Sequence, residues 1–171
     1  MNDTKKSIEI KARSGKHNFA REKLEEYGAE KEEVERQKDY YFEVKEGRLK
    51  LRERENRSSQ LIFYNREDKA GPKSSEILLS EVKEGAGKIL RTSLPVDITV
   101  VKRREIYWIE NVKVHLDEVK DLGKFLEFEL FPGKQGQYSS REDLKELMDE
   151  FEVEEDKLIS NSYSDMIGGI S

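Results

Sequence analysis

Several stretches of this chain alternate aliphatic and charged residues with a period of two. In residues 112–119, Val112, Val114 and Leu116 share one face of an extended segment, and Lys113, His115 and Asp117 share the other. In residues 125–131, Leu126, Phe128 and Leu130 oppose Glu127 and Glu129. "SIEIKAR" at residues 7–13 sets Ile8, Ile10 and Ala12 against Ser7, Glu9, Lys11 and Arg13. "RLKLRERE" at residues 48–55 puts Arg48, Lys50, Arg52 and Arg54 on one side. This periodicity demands an antiparallel sheet with two unlike faces, one of which must be covered.

The order of elements extends the constraint. A first strand at 7–13 is followed by a helix predicted at about 18–27, with Asn18 as its N-cap and Gly28 as its stop. Strands follow at about 33–42, 48–55 and 60–66. The sequence then repeats the order: a strand at 75–82, a short helix at 86–94 stopped by Pro95, and strands near 98–109, 112–119 and 125–131. Two sets of strand, helix and three strands suit a closed eight-stranded antiparallel barrel, an α+β fold with helices packed outside. A last helix is expected at 140–151, opened by a capping box of Ser139 and Glu142. No low-complexity segment or linker divides the chain, so residues 1–171 read as one domain.

Composition narrows the classes of function. With no cysteine there is neither a disulfide framework nor a thiolate metal site. No apolar run reaches the roughly 18 residues a membrane span needs, and the N-terminus lacks an apolar targeting core, so a cytoplasmic protein without membrane attachment is expected. A net charge of −5 argues against a nucleic-acid partner.

The faces of the barrel set its chemistry. If helices cover the outside, the aliphatic faces point outward to them and the charged faces point into the lumen. Strand parity then places eight cations inside, Lys11, Arg13, Arg48, Lys50, Arg52, Arg66, Lys102 and Arg104, against four acids, Glu9, Asp117, Glu127 and Glu129. Two charges 4 Å apart at an effective dielectric near 20 interact by about 4 kcal/mol, so an excess of roughly +4 repels itself unless a polyanion fills the lumen. Divalent cations would serve the carboxylates. Parity is ambiguous at Lys102, Arg103 and Arg104, and in "QLIFYNR" both faces are largely apolar.

"SIEIKAR", "QKDYYF", "GRLKLRE", "LIFYNR", "VVKRREIYW", "VHLDEVKDLGKFLEFE" and "SYSDMI" occur in order over nearly the whole chain. Together they resemble the CYTH superfamily of triphosphate tunnel enzymes, and most nearly its class IV adenylyl cyclase-like branch. The resemblance implies an eight-stranded barrel that takes a triphosphate-bearing small molecule with Mg²⁺ (or Mn²⁺), as a monomer or homodimer. It implies Glu9, Glu127 and Glu129 as metal ligands and Lys11, Lys50, Arg52, Arg66, Lys102 and Arg104 as phosphate ligands. It assigns Lys11, Arg52 and Asp117 to catalysis, with Arg13, Arg48 and His115 as supporting partners by parity. Arg54 is expected at a solvated rim.

One position departs from the family pattern: Ser7 stands where the ExExK motif has its first glutamate, removing an oxygen ligand. Three functions follow from the resemblance. They are cyclisation of ATP to cyclic AMP and pyrophosphate, hydrolysis of an inorganic, thiamine or nucleoside triphosphate, and binding without turnover. Tyr40, Tyr41, Phe42, Tyr107 and Trp108 could stack a nucleobase or simply pack. "EGAGKI" lacks the spacing of a phosphate loop and reads as a helix start. "SNSYSDMIGG" is expected to cap the barrel, and His17 to lie on the surface.

Overall fold

The computed structural model describes residues 3–66 and 71–169. Its elements are β1 (Asp3–Arg13), α1 (His17–Glu26), β2 (Glu30–Phe42), β3 (Arg48–Arg54), β4 (Arg57–Arg66), β5 (Lys73–Val82), α2 (Glu84–Ser93), β6 (Val96–Ile109), β7 (Val112–Val119), β8 (Gly123–Leu130), α3 (Arg141–Glu150) and α4 (Tyr163–Ile167). The strands form a closed barrel in the order β1-β5-β4-β3-β2-β6-β7-β8, each pair antiparallel. β1 closes it by pairing on both edges, Ser7 opposite Ser75 of β5 and Ile10 opposite Phe128 of β8.

The aliphatic faces do point outward. Ile10 and Ala12 of β1, Val114 and Leu116 of β7, and Leu126 and Phe128 of β8 form one buried cluster with Ala20 and Leu24 of α1 and Leu144, Leu147 and Met148 of α3. Burying a Leu or Phe of this kind is worth about 1.5–3 kcal/mol, which fixes the register because a one-residue slip would turn the charges into this layer. Helix α2 lies over β3, its Gly87 against Leu51. The β2–β3 turn needs its glycine: Gly47 has φ +71°, and a Cβ there would meet the Phe63 ring at 2.7 Å.

At one end, Tyr163 and Met166 of α4 pack with Tyr41, Val100, Val119 and Phe125. The C-terminal segment therefore does cap the barrel. Among the described residues no helix is long and apolar enough to cross a membrane.

Three local expectations are corrected. Helix α1 starts at His17 after Lys16, without a side-chain cap, and Asn18 Oδ1 instead accepts from Arg21. The capping box of α3 is formed by Ser140 and Asp143, one residue later than expected. His17 is 2% exposed, not a surface residue, and its Nε2 lies 3.0 Å from the Phe125 carbonyl oxygen. "EGAGKI" does open a helix, α2.

Candidate functional site

The barrel interior holds a cavity of about 280 Å³. Nine basic and six acidic side chains line it among the described residues. Lys50 and Arg52 come from β3, Lys102 and Arg104 from β6, Lys11 and Glu9 from β1, and Glu127 and Glu129 from β8. The parity left open at residues 102–104 resolves with Arg103 outside, where it bonds Glu105.

The cations near α4 converge on an acid that the tunnel's charge count omitted. Asp39 of β2 is fully buried and accepts from Arg52 Nε and an Nη at 2.8 Å each; Lys50 Nζ lies 3.1 Å and Lys102 Nζ 3.6 Å from its Oδ2. Burial by itself would raise the Asp39 pKa, but Arg52, Lys50 and Lys102 outweigh it and hold the carboxylate well below its ordinary range. For Lys102, burial together with Arg104 and Arg52 drives the ammonium pKa well down. The lumen therefore tolerates its cations partly because Asp39 neutralises them from behind, and the expected excess of +4 is smaller.

Arg104 has its own acid. Its guanidinium makes a two-pronged contact at 2.6 Å with Asp117, which also accepts from Tyr163 Oη at 2.7 Å. Asp117 is fully buried on the inner face of β7 beneath Arg104 and Tyr163; burial would raise its pKa, but Arg104 pulls it far down. Tyr163 closes the floor beneath two lysines, with Lys11 Nζ 4.0 Å and Lys102 Nζ 5.2 Å from its ring centre.

Further along lies an acidic cluster. Glu127 sits between its strand neighbours Lys11 and His115, contacting Lys11 Nζ at 3.0 Å and His115 Nδ1 at 3.2 Å. Glu129 sits between Glu9 and Lys113. Burial, then Glu9 and Glu127, push the Glu129 pKa up to about 7. Burial and Arg104 push that of His115 down to about 3. For Glu127, burial would raise the pKa, but Lys11 and His115 hold it well below the usual range.

Ligand atoms of His115, Glu127 and Glu129 lie within 4.8 Å of one another. Ser7 Oγ and Ser75 Oγ, on paired strands, are both buried without a hydrogen bond of normal geometry, although Ser7 lies near enough to Glu129 to draw its pKa down a little. Clustered carboxylates with unsatisfied oxygens beside them fit a divalent cation.

The other anticipated residues lie elsewhere. Arg13 shares the parity of Lys11 but is exposed beyond the tunnel, donating to the Leu122 carbonyl oxygen at 2.9 Å. Arg48 pairs with Asp165 of α4 at 3.2 Å. Arg66 ends β4 opposite Ser75, and its side chain lies outside the described residues. Arg54 is not at a solvated rim: it lines the tunnel, with its side chain 5% exposed and bonded to the Ser58 carbonyl oxygen. Of the five aromatics weighed for stacking a base, only Tyr41 lines the cavity, whereas Tyr107 joins the outer core and Trp108 stands in a separate cleft beneath Lys113 and Lys134.

The alternating-charge signal also missed an uncharged wall. Ile62 and Tyr64 of β4 and Ile77 and Leu79 of β5 face the cavity. In the closed strand order these two strands stand across from β6 and β7.

A closed eight-stranded antiparallel barrel with rows of cations and carboxylates on its inner face is the triphosphate tunnel fold. The CYTH domain family model matches residues 5–163, and the chain belongs to that family. The structure of PH1012 protein from Pyrococcus horikoshii is 28% identical with a TM-score of 0.75, covering 93% of this chain and 98% of that one. A candidate adenylate cyclase from Vibrio parahaemolyticus is 19% identical with a TM-score of 0.77, covering 96% and 98%. A candidate adenylyl cyclase from Hippeastrum, HpAC1, described as having a dominant triphosphatase activity, is 15% identical with a TM-score of 0.63, covering 95% and 93%. No curated protein matches the chain.

Proposed function

We propose that the tunnel binds a triphosphate-bearing small molecule and processes it with a divalent ion, as a class IV-like adenylyl cyclase acting on ATP. The observation carrying this reading is the convergence of Lys11, Lys50, Arg52, Lys102 and Arg104 on one cavity, where the buried acids Glu127, Asp39 and Asp117 pair with them and fix their positions. These cations would hold the phosphates, with Arg66 added from its place in the motif. Glu9, Glu127 and Glu129 would hold Mg²⁺ or Mn²⁺, which when bound screens phosphate charge and polarises P–O bonds. The uncharged wall of Ile62, Tyr64, Ile77 and Leu79 supports a substrate with an organic end.

In cyclisation the ribose 3′-oxygen bonds to the α-phosphorus, the bond from that phosphorus to the bridging oxygen breaks, and the hydroxyl proton passes to solvent. Charge builds on the departing pyrophosphate, where Lys11 and Arg52 would stabilise it. Asp117, buried beneath Arg104 and Tyr163, would act by orienting Arg104.

Hydrolysis is the second reading, since the same cations serve when water replaces the ribose hydroxyl; the description of the Hippeastrum neighbour keeps it in view. Binding without turnover is the third, motivated by Ser7. Product analysis separates them. Incubation with ATP, inorganic triphosphate and thiamine triphosphate in Mg²⁺ or Mn²⁺ is expected to yield cyclic AMP and pyrophosphate from ATP. Free phosphate from any of the three substrates without cyclic AMP selects hydrolysis, and no product from any of them, at any pH or metal, removes both enzyme readings.

A further inference from the structure

The inner face of β7 places an imidazole, not only oxygens, among the carboxylates of the tunnel. We propose that His115, Glu127 and Glu129 bind one first-row transition ion of the Mn²⁺, Co²⁺ or Zn²⁺ class in preference to Mg²⁺, with His115 as a nitrogen ligand. The three donors lie within 4.8 Å of one another. Opposite ligands of an ion with bonds near 2.1 Å stand about 4.2 Å apart, so small side-chain adjustments close the site.

Two further observations point to an ion at this place. Ser75 Oγ lines the cavity, is buried and has no hydrogen-bond partner, and Ser7 Oγ, on the paired strand, is also buried without one of normal geometry. A native protein rarely leaves a buried hydroxyl unsatisfied, and Ser75, with Ser7 beside it near Glu129, can offer its oxygen to an ion or its bound water. Ser7 also offers no charge where a carboxylate would have made the site harder and more suited to Mg²⁺.

Ligand chemistry decides the class of ion. Mg²⁺ demands oxygen donors in near-ideal octahedral geometry and gives up its water reluctantly, whereas imidazole favours transition ions. His115 Nδ1 lies 3.2 Å from Glu127 Oε1, so the imidazole and the carboxylate already stand side by side.

The proposal deepens the triphosphate reading, yet it can be tested without turnover or substrate. Mn²⁺ added to the metal-free full chain is expected to show nitrogen hyperfine coupling in its pulsed electron spin resonance. Isotopic labelling of histidine should change that coupling, and Co²⁺ should give ligand-field absorption saturating at one equivalent. A roughly tenfold excess of Mg²⁺ should not displace either ion. His115→Gln should abolish the coupling and weaken Co²⁺ binding by at least about tenfold. Absence of nitrogen coupling in the unaltered protein, or displacement by equimolar Mg²⁺, overturns the inference even if the variant does not fold. Calorimetry with inorganic triphosphate run in parallel separates the two readings. Loss of triphosphate binding with the nitrogen signal intact sinks the proposed function and leaves the metal site, and the converse result does the reverse.

Discussion

Asp39→Ala is expected to destabilise the fold by about 3–5 kcal/mol, the usual cost of stripping a buried charge of its partner. Its carboxylate contacts Arg52, Lys50 and Lys102 at once. Without it, Arg52 stays charged with Arg104 as a repelling neighbour. Lys102, already driven down by burial, can relieve itself by losing its proton; Arg52 cannot. Urea unfolding of the parent and of the variant measures the difference. Asp39→Asn keeps the shape while removing the charge, so most of the loss should persist in it. Inorganic triphosphate should stabilise Asp39→Ala more than the parent, because an added polyanion replaces the missing acid. A loss below about 1 kcal/mol would mean that the three cations do not depend on Asp39.

The second large effect concerns the pH dependence of stability. Folding moves Glu129 from an ordinary 4.5 up to about 7 and His115 from 6.5 down to about 3. Between about pH 4.5 and 6.5 the folded chain keeps a proton on Glu129 that the unfolded chain has lost, so this group lowers stability as pH rises. Over the same interval the unfolded chain carries a proton on His115 that the folded chain has shed, so that group raises stability as pH rises. Each slope is about 1.4 kcal/mol per pH unit, and they cancel. Buried His17, shifted down chiefly by burial, leaves a residual upward slope. Below about pH 4 stability falls, because Asp39, Asp117 and Glu127 are held ionised below their ordinary range and the unfolded chain binds more protons. Glu129→Gln deletes only the downward contribution. Its stability should climb more steeply than the parent's, by roughly 3 kcal/mol from pH 4.5 to 6.5. Urea titrations in chelator at successive pH values check this, and parallel curves for the two proteins would refute it.

The barrel was legible because β1, β7 and β8 carry an aliphatic stripe that helices α1 and α3 cover, so composition itself marks which face is inside. β2 has no such stripe. Its outward residues Arg36 and Lys38 are exposed and its inward Glu35, Gln37 and Asp39 are polar as well, so alternation of charge does not reveal the inner face. Asp39 was therefore missed although its motif was recognised. β5 inverts the rule, turning Ile77 and Leu79 inward, and its outer Leu78 is 40% exposed.

Arg13 and Arg48 show a different limit. Parity assigns a face but not a height along the barrel, and both stand past the floor that Tyr163 makes. His17 was misjudged because its partner, the Phe125 carbonyl, is 108 residues away. Such a contact leaves no trace in local pattern. Ser162 and Tyr163 reach the tunnel for the same reason, from a segment expected only to cap it.

That cap bears on the order of events. With α4 seated among Tyr41, Val100, Val119 and Phe125, the end below Lys50 and Lys102 is stoppered. A guest whose phosphates rest against that floor must come in tail first and depart by the same mouth. If ATP is cyclised there, pyrophosphate is made behind the cyclic nucleotide and can leave only after it. Pyrophosphate would then be the slow product and the natural inhibitor, competing with the next substrate for the innermost seats.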